Sequence, residues 1–257
     1  MLAALIWDVD GTLAETERDG HRIAFNESFE ALGLPWRWDV ARYTELLRIT
    51  GGRERLLHDL ASQPEAPTDA GERERLVQAL HAEKNARYAR IAARGAIALR
   101  PGVVRLMREA IGAGVKLAIA STTSRSNLEA LFERQFGEGW REHFAATVCG
   151  EDAPLRKPDP QVYLRCLHAL DLDPEEALAI EDSSNGLASA TAAGLPVLVT
   201  RSLAFASHSF DGALAVCDDL DHPAQPSPRL VGSSAARVDL ARLREWHAAW
   251  WQARAAA

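Results

Sequence analysis

The apolar run Leu2-Ala3-Ala4-Leu5-Ile6-Trp7 stops abruptly at Asp8-Val9-Asp10-Gly11-Thr12. A short apolar run that ends in carboxylates and a glycine reads as a buried strand whose carboxyl end opens into a polar site. In open α/β sheets that end of the strands is where ligands bind. An ordinary strand-to-turn junction would also favour Asp and Gly, so the rest of the chain decides between the two.

Further apolar runs end in the same way. Ser121 follows Val115 to Ala120, Glu181-Asp182-Ser183 closes the run Ala177 to Ile180, and Lys157-Pro158-Asp159-Pro160 lies between them. From Arg100-Pro101-Gly102 onward, helical and strand patterns alternate. Helices are expected over Pro101 to Ala113, Asn127 to Phe136, Pro158 to Leu170 and Gly186 to Ala193; strands over Val115 to Ala120, Thr147 to Cys149, Ala177 to Ile180, Pro196 to Thr200 and Ala213 to Val216. Such alternation predicts a parallel sheet with helices on both faces.

Before Arg100 the apolar period is helical instead. Phe25, Phe29 and Leu32, then Val40, Tyr43 and Leu47, then Leu56, Leu57 and Leu60 each mark one helix; after a loop from Gln63 to Gly71, Leu76, Leu80, Tyr88 and Ile91 mark a longer one. The expected class is therefore α/β, a Rossmann-like parallel-sheet core over 1–15 and 96–220, interrupted by an all-helical domain over 16–95. Residues 221–257 divide into a linker, Asp221 to Ser234, and an amphipathic helix with Leu240, Leu243, Trp246 and Trp250 on the face that packs onto the core.

Composition narrows the partners. With 47% hydrophobic and 25% charged residues the chain is of ordinary globular type. A net charge of -7 without any basic block argues against nucleic acid. Cys149, Cys166 and Cys217 are widely spaced and form no Cys-x-x-Cys pair, so neither a disulfide framework nor a zinc site is expected. The first apolar run meets Asp8 before it could serve as a signal sequence, and no stretch approaches the ~20 apolar residues of a membrane span. A cytoplasmic monomer without membrane contact is the expectation.

Taken in order, Asp8-x-Asp10-Gly11-Thr12-Leu13, Ser121, Lys157 and Glu181-Asp182 resemble the four motifs of the haloacid dehalogenase superfamily of phosphotransferases. The resemblance implies that Asp8 attacks phosphorus, that Asp10 donates and then accepts a proton, and that Ser121 and Lys157 neutralise phosphoryl oxygens. It also implies Mg²⁺ held by Asp8, Asp182 and the Asp10 carbonyl, with Glu181 a further ligand or a support, and Thr12 orienting the nucleophile loop. Proton transfer at neutral pH would require Asp10 to rise from the ordinary aspartate pKa of ~3.9.

The helical insertion resembles the cap that closes over small substrates in one subclass. Within it, Asp8 to Glu17 and Arg48 to Arg55 look most like the CbbY family, phosphatases that take the 1-phosphate from xylulose-1,5-bisphosphate, an inhibitor of Rubisco. A sugar phosphate is then the implied partner. Its second phosphate would meet Gly51, Gly52 and Arg53 of the cap and Thr122, Ser124, Arg125 and Asn127 of the core, with Glu17 and Tyr43 on the hydroxyls. Gly20, before His21, marks a one-residue insertion in the hinge helix relative to the family pattern, and His21 reads as structural rather than catalytic. A β-phosphoglucomutase would share the Asp8 and Asp10 chemistry. A silent binding protein on the same fold is the alternative from another class, and the presence of every motif residue stands against it.

Overall fold

The computed structural model describes residues 1–228, 230 and 235–255. Its centre is β1 (Ala4–Trp7), buried along its whole length. To one side lie β2 (Lys116–Ala120) and β3 (Ala146–Val148); to the other lie β4 (Ala177–Glu181), β5 (Val197–Thr200) and β6 (Ala215–Cys217). All six run parallel, in the order β3-β2-β1-β4-β5-β6. This is the helix-flanked parallel sheet that the alternation implies.

Period-two alternation gives the sheet two unlike faces. Leu5, Trp7, Leu117, Ile119, Leu178 and Ile180 fill one face, packed with Leu106 and Met107 of α5 (Val103–Gly112), Leu128 and Phe132 of α6 (Arg125–Phe136), and Leu243 and Trp246 of α9 (Leu240–Ala255). The other face carries the smaller Ala4, Ala118, Ala120, Ala177 and Ala179. Val162 and Cys166 of α7 (Gln161–Leu170) and Ala190 of α8 (Ser184–Ala192) pack there.

Between β1 and β2 the chain forms a helical unit: a π-helical turn at Glu17–His21, α1 (Arg22–Ala31), α2 (Val40–Leu46), α3 (Gly52–Leu60) and α4 (Ala70–Ala93). Asp39 and Asp69 start α2 and α4 by accepting the Arg42 and Glu72 N–H groups. Phe25, Phe29, Trp38 and Tyr43 make its aromatic centre. The outgoing and returning linkers touch: Ala14 bridges Leu99 antiparallel, and the Arg100 N–H donates to the Leu13 carbonyl at 2.8 Å.

Two expectations are corrected. Part of the expected linker is a strand, β7 (Pro223–Pro226), antiparallel to β6, with β8 (Ala236–Arg237) beyond it. A proline forfeits one donor, which a short strand near a sheet edge tolerates. Arg229 and residues 231–234 of that linker, and the last two residues of the C-terminal helix pattern, lie outside the described residues. Pro101 and Pro158 also do not open helices themselves: Gly102 takes a left-handed conformation (φ 79°) before α5, and α7 begins at Gln161.

Candidate active site

The carboxyl ends of β1, β2 and β4 bring three carboxylates and one ammonium together. Asp8, Glu181 and Asp182 are buried and offer oxygens within 4.8 Å of one another. Lys157, on the segment before α7, places its Nζ 2.7 Å from Asp8 Oδ1, 2.6 Å from Glu181 Oε1 and 3.0 Å from the Ala120 carbonyl. The Tyr163 hydroxyl donates to the same Glu181 oxygen at 2.5 Å, and the Asp182 N–H donates to the other at 3.2 Å. Glu181 is thus held from both sides, and any side chain at Gly186 would collide with it.

Three carboxylates against one ammonium leave excess negative charge in a buried place. Burial raises the Asp8 carboxyl, Lys157 pulls against it and Glu181 adds to it, leaving it at about 7. Burial, then the Asp8 and Glu181 charges, hold Asp182 well above the ordinary carboxylate range. Close carboxylates stay ionised together only if a cation joins them. An all-oxygen donor set with this imbalance fits a hard divalent cation. Gly11 (φ 87°) presses its backbone against Asp182, where no other residue's Cβ would fit.

Asp10 faces the helical unit instead. Its Oδ1 accepts the Thr16 hydroxyl at 2.6 Å and lies 3.0 Å from His21 Nε2, whose ring stacks on Tyr88 with centroids 4.0 Å apart. Burial raises its carboxyl, but His21, Thr16 and Lys84 outweigh burial and the net shift is downward. The expected rise of Asp10 is therefore not met in this arrangement, because its hydrogen-bond donors stabilise the anion more than burial destabilises it.

Between sheet and helices opens a cleft of about 260 Å³ lined by Asp8, Asp10, Lys157 and Asp182 below and by α3 and α4 above. Of the residues singled out in the sequence, Glu17, Gly51, Gly52, Arg53, Thr122, Ser124 and Asn127 line it as well. Ser121 is buried at the end of β2, its Oγ accepting the Thr123 N–H at 3.1 Å, and is not among the lining groups. Tyr43 lies behind the wall and donates to Glu17 at 2.5 Å. Arg125 turns away: its guanidinium pairs with Asp152 at 2.5 Å, because Asp152 and Glu151 gather at the start of α6. Arg53 reaches the cleft but is held by both oxygens of Glu74 at 2.7 Å.

Among the cleft residues left without a role by the sequence reading are Arg55, His81, Lys84 and Arg156. Lys84 had a signal, since Leu76, Leu80, Lys84 and Tyr88 follow one another at i, i+4 spacing, and a lysine inside such a stripe is turned inward. Arg55 is buried, donating to the Tyr43 hydroxyl at 2.9 Å and to the Leu46 carbonyl at 3.2 Å. Arg156 stands beside the Lys157 motif, its Nη1 on the Gly150 carbonyl at 2.9 Å.

Comparison with known proteins agrees with this geometry. Residues 2–194 match the haloacid dehalogenase-like hydrolase family. A CbbY protein of Cupriavidus necator is 46% identical over 248 residues, covering 96% of this chain and 97% of its own. CbbY of Rhodobacter sphaeroides, crystallised with phosphate, superposes with a TM-score of 0.79 at 43% identity over 85% of this chain and 95% of that one. A variant of that CbbY in complex with xylulose-(1,5)bisphosphate gives 0.80 at the same identity and coverage. With the carboxylate cluster, its lysine and the inserted helical unit in place, the chain belongs to the haloacid dehalogenase-like hydrolase family and, within it, to the CbbY-like proteins.

Proposed function

We propose that this chain is a Mg²⁺-dependent phosphatase that removes the 1-phosphate of xylulose-1,5-bisphosphate and leaves xylulose 5-phosphate. One observation carries the reading: the buried Asp8 carboxylate, paired to Lys157 at 2.7 Å and flanked by Asp182, forms the floor of a small cleft whose opposite wall bears cations. The relative crystallised with this bisphosphate supports the choice of sugar.

Asp8, Asp182 and the Asp10 carbonyl would hold Mg²⁺, which when bound neutralises phosphoryl oxygens and keeps the carboxyl groups ionised. Asp8 attacks phosphorus as the bond to the sugar oxygen breaks, and the leaving oxygen takes a proton from Asp10. A water molecule then gives a proton to Asp10 and attacks the aspartyl phosphate, releasing inorganic phosphate and restoring Asp8. Thr16 and His21 hold Asp10 as the anion, the form this second step uses. Donation in the first step requires Asp10 to gain a proton and leave those partners.

The second phosphate is met by Arg156 and by the N–H groups at Gly51 and Gly52, with Ser124 and Asn127 opposite. Gly51 (φ 101°) lies in the left-handed region, and a Cβ there would collide with the Glu54 carboxylate that lies against it. Cys149, Cys166 and Cys217 are buried free thiols, in keeping with a reducing cytoplasm as the place of work.

The test is Mg²⁺-dependent phosphate release from sugar mono- and bisphosphates. The bisphosphate is expected to exceed a monophosphate in kcat/KM by about 10- to 100-fold, the worth of one charge-assisted contact. Asp8→Asn abolishes release. Equal rates for both substrates overturn the choice of sugar, and an isomerised sugar phosphate in place of free phosphate marks a mutase.

A further inference from the structure

Arg100 is the first residue after the returning linker and is 8% exposed. Its Nη1 donates to the Gly11 carbonyl, to the Thr200 carbonyl at 2.9 Å and to the Thr200 hydroxyl at 3.2 Å. Its Nη2 donates to the Arg201 carbonyl at 2.5 Å and to the Asp218 carbonyl. Its Nε lies 3.5 Å from Glu15, on the outgoing linker, whose carboxylate also accepts the Leu203 N–H. One buried guanidinium thus gathers the carbonyls at the carboxyl ends of β5 and β6, the turn after β1, and both linkers of the helical unit.

The Gly11 carbonyl is the contact with chemical consequence. Gly11 follows Asp10 and presses against Asp182. Its N–H donates to the Ala14 carbonyl at 2.8 Å, so the turn is held from inside at one peptide and by Arg100 at the next. Loss of the hold at that second peptide would free the Gly11 backbone to move away from Asp182 and leave the peptide that carries the Asp10 carbonyl held by the Gly11 N–H alone. A carbonyl donor that has to be aimed is aimed by what binds its neighbours.

We infer that Arg100 is a positioning residue of the hydrolase: by holding the Gly11 carbonyl it fixes the loop that carries Asp10 beside Asp182, and through Glu15 it ties that loop to the placement of the helical unit. The inference rests on the phosphatase reading of the Asp8 site. A purely structural arginine would satisfy the same carbonyls and affect the melting temperature alone; a positioning residue changes turnover and cation binding in protein that is still folded.

The experiment compares Arg100→Met, Arg100→Lys and Glu15→Gln with the wild type. It measures thermal melting, kcat and KM on p-nitrophenyl phosphate, and Mn²⁺ binding by electron paramagnetic resonance without substrate. Arg100→Met is expected to lower kcat and weaken Mn²⁺ binding by about 10- to 100-fold, with KM within about threefold. Arg100→Lys recovers part of both, because an ammonium reaches only some of the carbonyls. Glu15→Gln gives a smaller loss of kcat with Mn²⁺ binding weakened in step. Folded variants whose kcat and Mn²⁺ binding stay within about twofold of wild type overturn the inference; if Arg100→Met does not fold, Arg100→Lys and Glu15→Gln decide on the same criterion. Full turnover by Asp8→Asn would instead sink the phosphatase reading, independently of Arg100.

Discussion

Lys84 brings a buried ammonium to the roof of the cleft, over the rings of Phe25 and Tyr88 at 5.2 and 5.5 Å. Burial lowers it to about 8, with Asp10 and Glu17 opposing and Arg55 assisting. Below that pH it adds a positive charge where a phosphate ester enters; above it the charge is gone. The expected result is a kcat/KM that falls on the alkaline side of about pH 8, and a Lys84→Met variant that is slower at pH 7 and lacks that limb. A pH profile of both proteins checks it. At this scale the sequence was informative where a side chain ends an apolar run, as Asp8 and Asp182 do. It was silent for Arg156 and misleading for Arg125, since a partner such as Asp152 is chosen by tertiary contact and leaves no periodic trace.

Among the elements, the π-helical turn at Glu17–His21 decides how the helical unit addresses the sheet. A π-helical turn holds one residue more than an α-helical one and is often found at functional sites; it stands here around Gly20, where the family pattern implies an extra residue. Glu17 and His21, four residues apart, both line the cleft as a result. The turn can widen there only because Gly20 is bare: an added Cβ would come within 2.7 Å of Ile97 and 2.8 Å of Tyr88, the ring on which His21 stacks. Gly20→Ala is therefore expected to cost about 1–3 kcal/mol in a melting experiment and to lower kcat as well, since the displaced Tyr88 takes His21 off Asp10. Unchanged kcat in that variant would show that the turn has no bearing on Asp10. The form of this turn was not legible in the sequence, because neither Tyr88 nor Ile97 is near Gly20 along the chain.

For the molecule as a whole, the sheet and the helical insertion were readable because period-two and helical patterns occupy separate stretches. β7 was not, since two prolines within four residues mimic a linker and only the pairing with β6 reveals the strand. The C-terminal helix seals the face opposite α7 and α8, with Trp246 1% exposed among Leu243, Leu106 and Met107. Trp246→Ala should cost about 3–5 kcal/mol, seen as a lower melting temperature, while kcat/KM per folded molecule stays unchanged because no residue of that helix lines the cleft. The position of β1 between β2 and β4 has one more consequence, for biosynthesis. The strand that ends at Asp8 leaves the ribosome long before either neighbour, the first beginning at Lys116 and the second at Ala177. Until translation passes Glu181 the nascent protein keeps one edge of its innermost strand unpaired, and a polypeptide released early would offer that edge to any other chain able to add to it.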